Sequence, residues 1–233
     1  SDYAVNAGLY LILNLGTWTQ QEWPGKVQFL NESRFRYGEK FLSVYYDDEP
    51  GGIELDYNWT RYFQETNLNN NNLHRNSSSY PRIIYEKLQN ANKSGIFPDN
   101  YTLEAYWFNY MLTRNRGVIS LKQYDLSYLT SDYALYWFDY IGEYRTILAQ
   151  IGWNSSVEQQ IAQVRGAATL QNKDWGTIVT WKYSHAPYLD TPNNIYKQMA
   201  TSYNAGAKYI IIFNYSNTTK IDPYGGAMTD SHF

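Results

Sequence analysis

A chain of 233 residues with a formal net charge of -3 is long enough for one large α/β domain, and it has no Lys/Arg cluster of the kind that binding to a phosphate backbone requires. Nucleic acid is therefore excluded as an expected partner. Cysteine is absent, which removes disulfides, thiolate catalysis and cysteine metal sites, and aromatic residues make up 18% of the chain, so stability has to come from an aromatic core. The longest apolar runs, such as Tyr209 to Phe213, are strand-sized and far below the roughly 20 residues that cross a bilayer. No membrane span is expected.

In chain order, short apolar β-rich runs alternate with helical patterns. The strand candidates are residues 9–15, 41–46, 118–121, 133–138, 147–151, 177–183 and 208–213, seven in all. Residues 27–37 read as a helix, and 80–91 and 101–114 as two more, with Leu103, Trp107 and Tyr110 facing inward in the second of these. Residues 67–79 are rich in Asn and Ser and read as an exposed insertion. Val157, Ile161, Val164 and Ala168 recur at helical spacing behind Ser155-Ser156-Val157-Glu158, a capping box in which Ser155 and Glu158 cover two orphan amides. Asp190-Thr191-Pro192 opens a last helix, Ile195, Met199 and Tyr203 form its apolar stripe, and Gly206 suits its C-terminal cap.

Repeated strand–helix units predict a mainly parallel sheet. The expected fold is α/β, a TIM-like (β/α)8 barrel over residues 1–233 with one strand missing or hidden in the Asn-rich region; an open doubly wound sheet is the alternative. No G-x-G-x-x-G turn follows the first strand, so no nucleotide or other cofactor is expected. The chain begins at Ser1, and residues 228–233 read like a turn leading into a further helix. A longer, processed parent chain is the expectation.

Eight Asn-x-Ser/Thr sequons occur, at Asn31, Asn58, Asn76, Asn92, Asn100, Asn154, Asn214 and Asn217, where chance in so Asn-rich a chain gives about three. The excess points to N-linked glycans and to an extracellular or cell-surface location. The low charge would also suit acidic surroundings, where carboxylates are partly neutral.

In α/β barrels the chemistry sits at the C-terminal ends of the strands, and the predicted strand ends are acidic and aromatic. Asp47-Asp48-Glu49-Pro50-Gly51-Gly52 follows the second strand, Asp125 follows the run at 118–121, and Asp139 ends the run at 133–138. Glycoside hydrolysis needs a carboxylic acid and a second carboxylate across the sugar, with aromatic faces to stack on. Glu49 and Asp139 are the candidate pair, with Asp48 and Asp125 as substitutes; Trp153, Trp181, Tyr183, His185 and Asn214 are candidate substrate contacts. Each acid has a plain alternative, since Asp and Glu before Pro-Gly-Gly or a helix also make turns and caps, and Trp153 and Trp181 serve equally as packing. His74, His185 and His232 are scattered without ligand spacing, so no metal site is expected. No G-x-S-x-G elbow suggests a serine hydrolase.

The blocks FLSVYYDDEPGG (41–52), DYALYWFDY (132–140) and GTIVTWKY (176–183) resemble uncharacterised secreted archaeal proteins with a glycoside-hydrolase-like barrel, and the likeness extends through 165–168 and 208–215. The D-E-P-G-G block is its most distinctive part. The resemblance implies a barrel fold, an extracellular compartment, and a continuation beyond Phe233 carrying a closing helix.

Two functions are expected from this reading. The first is an extracellular glycoside-hydrolase-like protein acting on polysaccharide or glycan. The alternative is a non-catalytic glycosylated cell-surface, filament or S-layer component, or a carbohydrate-binding module. The enzyme requires two carboxyl groups about 5 to 9.5 Å apart in an open cleft, whereas the structural protein closes that mouth.

Overall fold

The computed structural model describes residues 1–15, 23–52, 116–153, 155–215 and 226–232. Six strands, β1 (Leu11–Asn14), β2 (Phe41–Tyr45), β3 (Tyr128–Asp132), β4 (Thr146–Ile151), β5 (Asp174–Val179) and β6 (Tyr209–Ile212), form one sheet in sequence order. Every neighbouring pair is parallel. Around them lie α1 (Asp2–Asn6), α2 (Trp23–Tyr37), α3 (Arg116–Gln123), α4 (Tyr136–Ile141), α5 (Val157–Leu170) and α6 (Pro192–Asn204).

The sheet curls as half of a barrel rather than closing into one. Right-handed crossovers between successive parallel strands place their helices on one face. Accordingly Leu30 of α2, Val118 and Leu121 of α3, Tyr136 and Tyr140 of α4 and Ile161 and Val164 of α5 share one buried cluster with Val44, Tyr128, Ile147 and Trp175 of the strands. Ile195 of α6 joins Ile151 and Val179 in a second. The opposite face carries Leu129, Leu148 and Ile178, with Ile12 and Ile211 packed beside them. The sheet stays open, in keeping with the open α/β alternative and not with a complete (β/α)8 barrel, and its strand order shows no reversal among the described residues. β2 pairs directly with β3, through Val44 with Tyr128 and Tyr45 with Leu129.

Two predicted strands are helical instead. Residues 118–121 lie inside α3, where Val118 and Leu121 are buried and Ile119 is exposed; three-residue spacing of apolar side chains is a helical stripe, misread over so short a run. Residues 133–138 lead into α4. The strand between these segments is β3, every residue of which is buried although its last three are Thr130, Ser131 and Asp132. A strand covered on both faces normally reads as continuous apolar sequence, and this one hides its polar groups in hydrogen bonds.

The helix starts were better marked. α5 begins after Ser156, not Ser155; the Ser156 hydroxyl accepts from Gln159 N at 3.3 Å. α6 opens on Thr191 and Pro192, and Gly206 beyond its end has φ 92°. α2 starts at Trp23, four residues ahead of the predicted 27. The predicted helices at 80–91 and 101–114, the insertion at 67–79, His74, and the sequons at Asn58, Asn76, Asn92, Asn100, Asn154 and Asn217 lie outside the described residues. Among the described residues no helix is long and apolar enough to cross a membrane.

Two glycines give a test of the packing. A Cβ on Gly176 in β5 would sit 2.4 Å from the Tyr209 carbonyl oxygen and 2.8 Å from Leu148, whereas one on Gly166 in α5 meets nothing within 4 Å. In equilibrium urea unfolding, Gly176→Ala should lose about 1–3 kcal/mol through overpacking against fixed backbone, and Gly166→Ala should gain about 0.5–1 kcal/mol from helix propensity.

Candidate functional site

The carboxyl ends of β2, β3 and β4 converge on one polar cluster. Past β2 the backbone turns through Asp47 at φ 63° and Glu49 at φ 50°, two left-handed residues that each carry a Cβ penalty. The turn is held from β3: Glu49 N donates to Ser131 O at 2.9 Å and Thr130 Oγ1 donates to Asp47 O at 3.1 Å.

Tyr45, Ser131 and Gln150 close a small network on the mouth of the sheet. Tyr45 OH donates to Asp48 Oδ1 at 2.7 Å, Ser131 Oγ lies 2.9 Å from the same oxygen, and the two hydroxyls are 2.6 Å apart. Two protons serve these three contacts, so when both hydroxyls donate to Asp48 their mutual contact carries no proton. Gln150 Nε2 donates to Ser131 Oγ at 3.1 Å. The Glu49 carboxyl is half-buried, and that burial raises its pKa against the lowering effect of a hydrogen bond with Gln150; the nearby Asp48 charge raises it further. Burial also raises Asp47.

Behind this layer lies Asp132, fully buried. Its carboxylate accepts from Gly51 N at 2.6 Å, from Gly52 N at 3.1 Å, from Tyr133 N at 2.7 Å and from Ala134 N at 3.2 Å. Burial lifts its pKa to about 7 despite the four N–H groups, each of which lowers it. The glycines are required by proximity: a Cβ on Gly51 would stand 2.9 Å from Asp132 Oδ2 and 3.0 Å from Asp139 Oδ1, and one on Gly52 would strike the Tyr133 ring at 2.3 Å. Pro50-Gly51-Gly52 is thus a clasp on a carboxylate 80 residues onward.

Asp139 of α4 has 0% exposure. No N–H or O–H among the described residues is directed at either of its oxygens. Burial raises its pKa well above the ordinary range, and the charge of Asp132, a hydrogen bond with Asp132 and the charge of Asp47 raise it further. An ionised carboxylate with no donor in that position would cost several kcal/mol. Burial beside Asp132 thus favours the protonated form of Asp139, and the two carboxyl groups titrate as a pair.

The sequence-predicted acids are accordingly split three ways. Glu49 and Asp48 sit at the mouth. Asp139 is sealed behind them, where no substrate reaches it, so the expected pair of Glu49 with Asp139 is not brought together across an open cleft. Asp125 lies on the opposite edge of the sheet, just before β3, with an exposed side chain 3.8 Å from Arg34 NH1. Its placement followed from reading residues 118–121 as a strand.

Of the predicted substrate contacts, Trp153 follows β4 and is exposed. Tyr183 and His185 are exposed in the segment after β5, where the Ser184 hydroxyl lies 3.4 Å from His185 Nδ1. Trp181 stacks on Tyr215 with centroids 6.2 Å apart at 11°, lies 4.8 Å from Tyr188 and 5.8 Å from Phe213, and donates from Nε1 to Tyr215 O at 2.8 Å. Asn214 is exposed and its Oδ1 accepts from Ala227 N and Met228 N, both at 2.7 Å. Asn31 lies in the middle of α2, and Ser33 of its sequon is buried. Sequence reasoning missed Asp132, Ser131, Tyr45 and Gln150; the adjacent Gly51-Gly52 pair was the available signal that something approaches closely there.

Among the described residues no three His, Cys, Asp or Glu side chains come together as a metal site. Comparison with protein-family models, with curated proteins and with solved structures gives no match.

The buried pair makes stability depend on pH with a definite sign. Folding raises these carboxyl pKa values above the unfolded value of about 3.9, so the folded state binds more protons; the contribution is complete below about pH 4 and is lost as pH rises through about 7. The thermal midpoint should be higher at pH 5 than at pH 8. Asp139→Asn, which mimics the protonated carboxyl, should flatten that slope and raise the midpoint at pH 8. Asp132→Ala should cost about 3 kcal/mol or more at either pH, because four buried N–H groups lose their acceptor.

Proposed function

We propose that this chain is a non-catalytic domain of an extracellular glycoprotein, a cell-surface or filament component built on a half-barrel. The observation that carries the reading is the state of the acids. Asp132 accepts from four backbone amides, Asp139 is sealed beside it, and Asp48 accepts from Tyr45 and Ser131. Carboxyl groups engaged in this way hold β2, β3 and α4 together, and the mouth they close is the geometry expected when such a fold serves as scaffold. The excess of sequons supports the extracellular part of the reading.

A second reading has one specific observation in its favour. Glu49 is half-buried, its carboxyl pKa is raised by burial, and its backbone is held in a left-handed conformation. Raised acids on strained backbone are what a general acid requires, and Asp48 beside it would supply the second carboxyl group of a glycoside hydrolase.

Substitution separates the two, because a catalytic acid is a stability liability and a structural one is not. On the scaffold reading, Asp48→Asn should lower stability by about 1–2 kcal/mol, since a charge-assisted acceptor for two hydroxyls is weakened, and neither it nor the wild type should release reducing sugar from a polysaccharide panel. Release of sugar by the wild type that Glu49→Gln abolishes, together with unchanged or increased stability of that variant, would replace the scaffold with the hydrolase.

A further inference from the structure

Away from the acidic mouth, beyond β5 and β6, lies an exposed aromatic group. Phe213 is 40% and Tyr215 54% exposed; they lie 6.0 Å apart, with Trp181 5.8 Å and 6.2 Å from them. Between the two exposed rings in sequence stands Asn214, the first residue of the sequon Asn214-Tyr215-Ser216. We propose that Asn214 carries an N-linked glycan whose first sugar lies against Phe213, Tyr215 and Trp181. This inference rests on the glycoprotein reading and adds to it which sequon is occupied and what the sugar touches.

The carboxamide geometry supports the assignment. Two backbone N–H groups, of Ala227 and Met228, converge on one atom of the Asn214 side chain at 2.7 Å, and an atom that accepts twice is the oxygen. Nδ2, the atom that bears a glycan, makes no hydrogen bond among the described residues. A glycosylated amide keeps its carbonyl oxygen, so the sugar can be added without breaking either bond. Both hold the carboxamide in place between the two aromatic residues that flank it in sequence. The C–H face of a pyranose stacks on aromatic rings, and covering Phe213 and Tyr215 removes exposed apolar area from water.

Asn31 provides the contrast within the same chain. It lies mid-helix in α2, its Oδ1 accepts from Arg34 NH2 at 3.4 Å, and Ser33 is 4% exposed. The Asn31 oxygen thus meets one side chain at 3.4 Å where the Asn214 oxygen meets two backbone N–H groups at 2.7 Å, so a sugar on Asn31 would lack that support.

The covalent step needs an activated donor, a lipid-phosphate-linked oligosaccharide supplied by the secretory apparatus. The Nδ2–C1 bond forms as the sugar C1–O bond to phosphate breaks; the lipid phosphate leaves with that electron pair, and one carboxamide proton passes to solvent. The sequon is read before folding, so the folded arrangement matters for where the sugar rests afterwards.

The test compares the chain secreted from a host that performs N-glycosylation with the same chain made in a bacterial cytoplasm. Peptide mass spectrometry should find Asn214 shifted by a glycan mass and, after amidase release in heavy-oxygen water, converted to labelled Asp. Release of glycans should lower the thermal midpoint of the secreted wild type by about 2–4 °C, and about half of that loss or more should disappear in Trp181→Ala; Phe213→Ala serves where the Trp181 variant is not secreted. An unmodified Asn214 in the secreted protein overturns the proposal, and so does an occupied Asn214 whose release leaves the midpoint unchanged, because the sugar then touches nothing. A polysaccharide-cleavage assay on the same preparations keeps the two readings apart: cleavage with Asn214 occupied removes the scaffold reading and leaves the glycan assignment, whereas an inert protein with bare Asn214 removes the glycan assignment alone.

Discussion

A carboxylate buried with four backbone N–H groups around it is the constraint on which the carboxyl edge depends. Asp132 ends β3, yet the groups it binds come from two places, Gly51 and Gly52 beyond β2 and Tyr133 and Ala134 ahead of α4. Meeting those donors fixes how far the chain past β2 must turn, and the left-handed residues Asp47 and Glu49 are a consequence of that requirement. It also fixes α4, whose Asp139 then lies beside a second carboxyl group with its pKa raised by burial. Strain in the turn and burial of a second acid are both offset by one well-bonded anion.

The same arrangement explains why acidic residues at strand ends are ambiguous evidence for chemistry. Desolvation raises pKa values whether a group waits for a substrate or sits in a core. What distinguishes the two is access and hydrogen-bond saturation. Asp139 has neither access nor donors, Asp132 is saturated, and Asp47 and Glu49 are the raised acids that combine partial exposure with a strained backbone. The distinction lies in three-dimensional neighbours, and no residue type or spacing announces it.

Much of the fold was nonetheless legible. β1, β2, β4 and β6 are short apolar runs bounded by turn residues, and α5 and α6 carry Ser156 and Thr191-Pro192 at their starts, because caps and proline act through local backbone chemistry. β3 was not legible: Tyr-Leu-Thr-Ser-Asp reads as a strand edge or loop until its hydroxyls and carboxylate are paired with β2 and β4. α3 was taken for a strand because Val118-Ile119-Ser120-Leu121 is too short for period 2 and period 3.6 to separate. Those two errors together moved Asp125 to the wrong edge of the sheet and hid Asp132, so the site was misread through its supporting strands rather than through its acids. The Gly51-Gly52 pair was visible throughout, but only the packing of Tyr133 and the two aspartates shows why no side chain fits there.

The clasp between Gly51-Gly52 and Asp132 also joins two points 80 residues apart along the chain. Between them in sequence lies α3, whose Val118 and Leu121 sit in the same buried cluster as Val44 and Tyr128, so the connection from β2 to β3 is tied to the domain at both of its ends. Loop-closure cost grows by only about 0.6 kcal/mol for each doubling of loop length. A change in the number of residues between two such tie points therefore weighs little on the half-barrel.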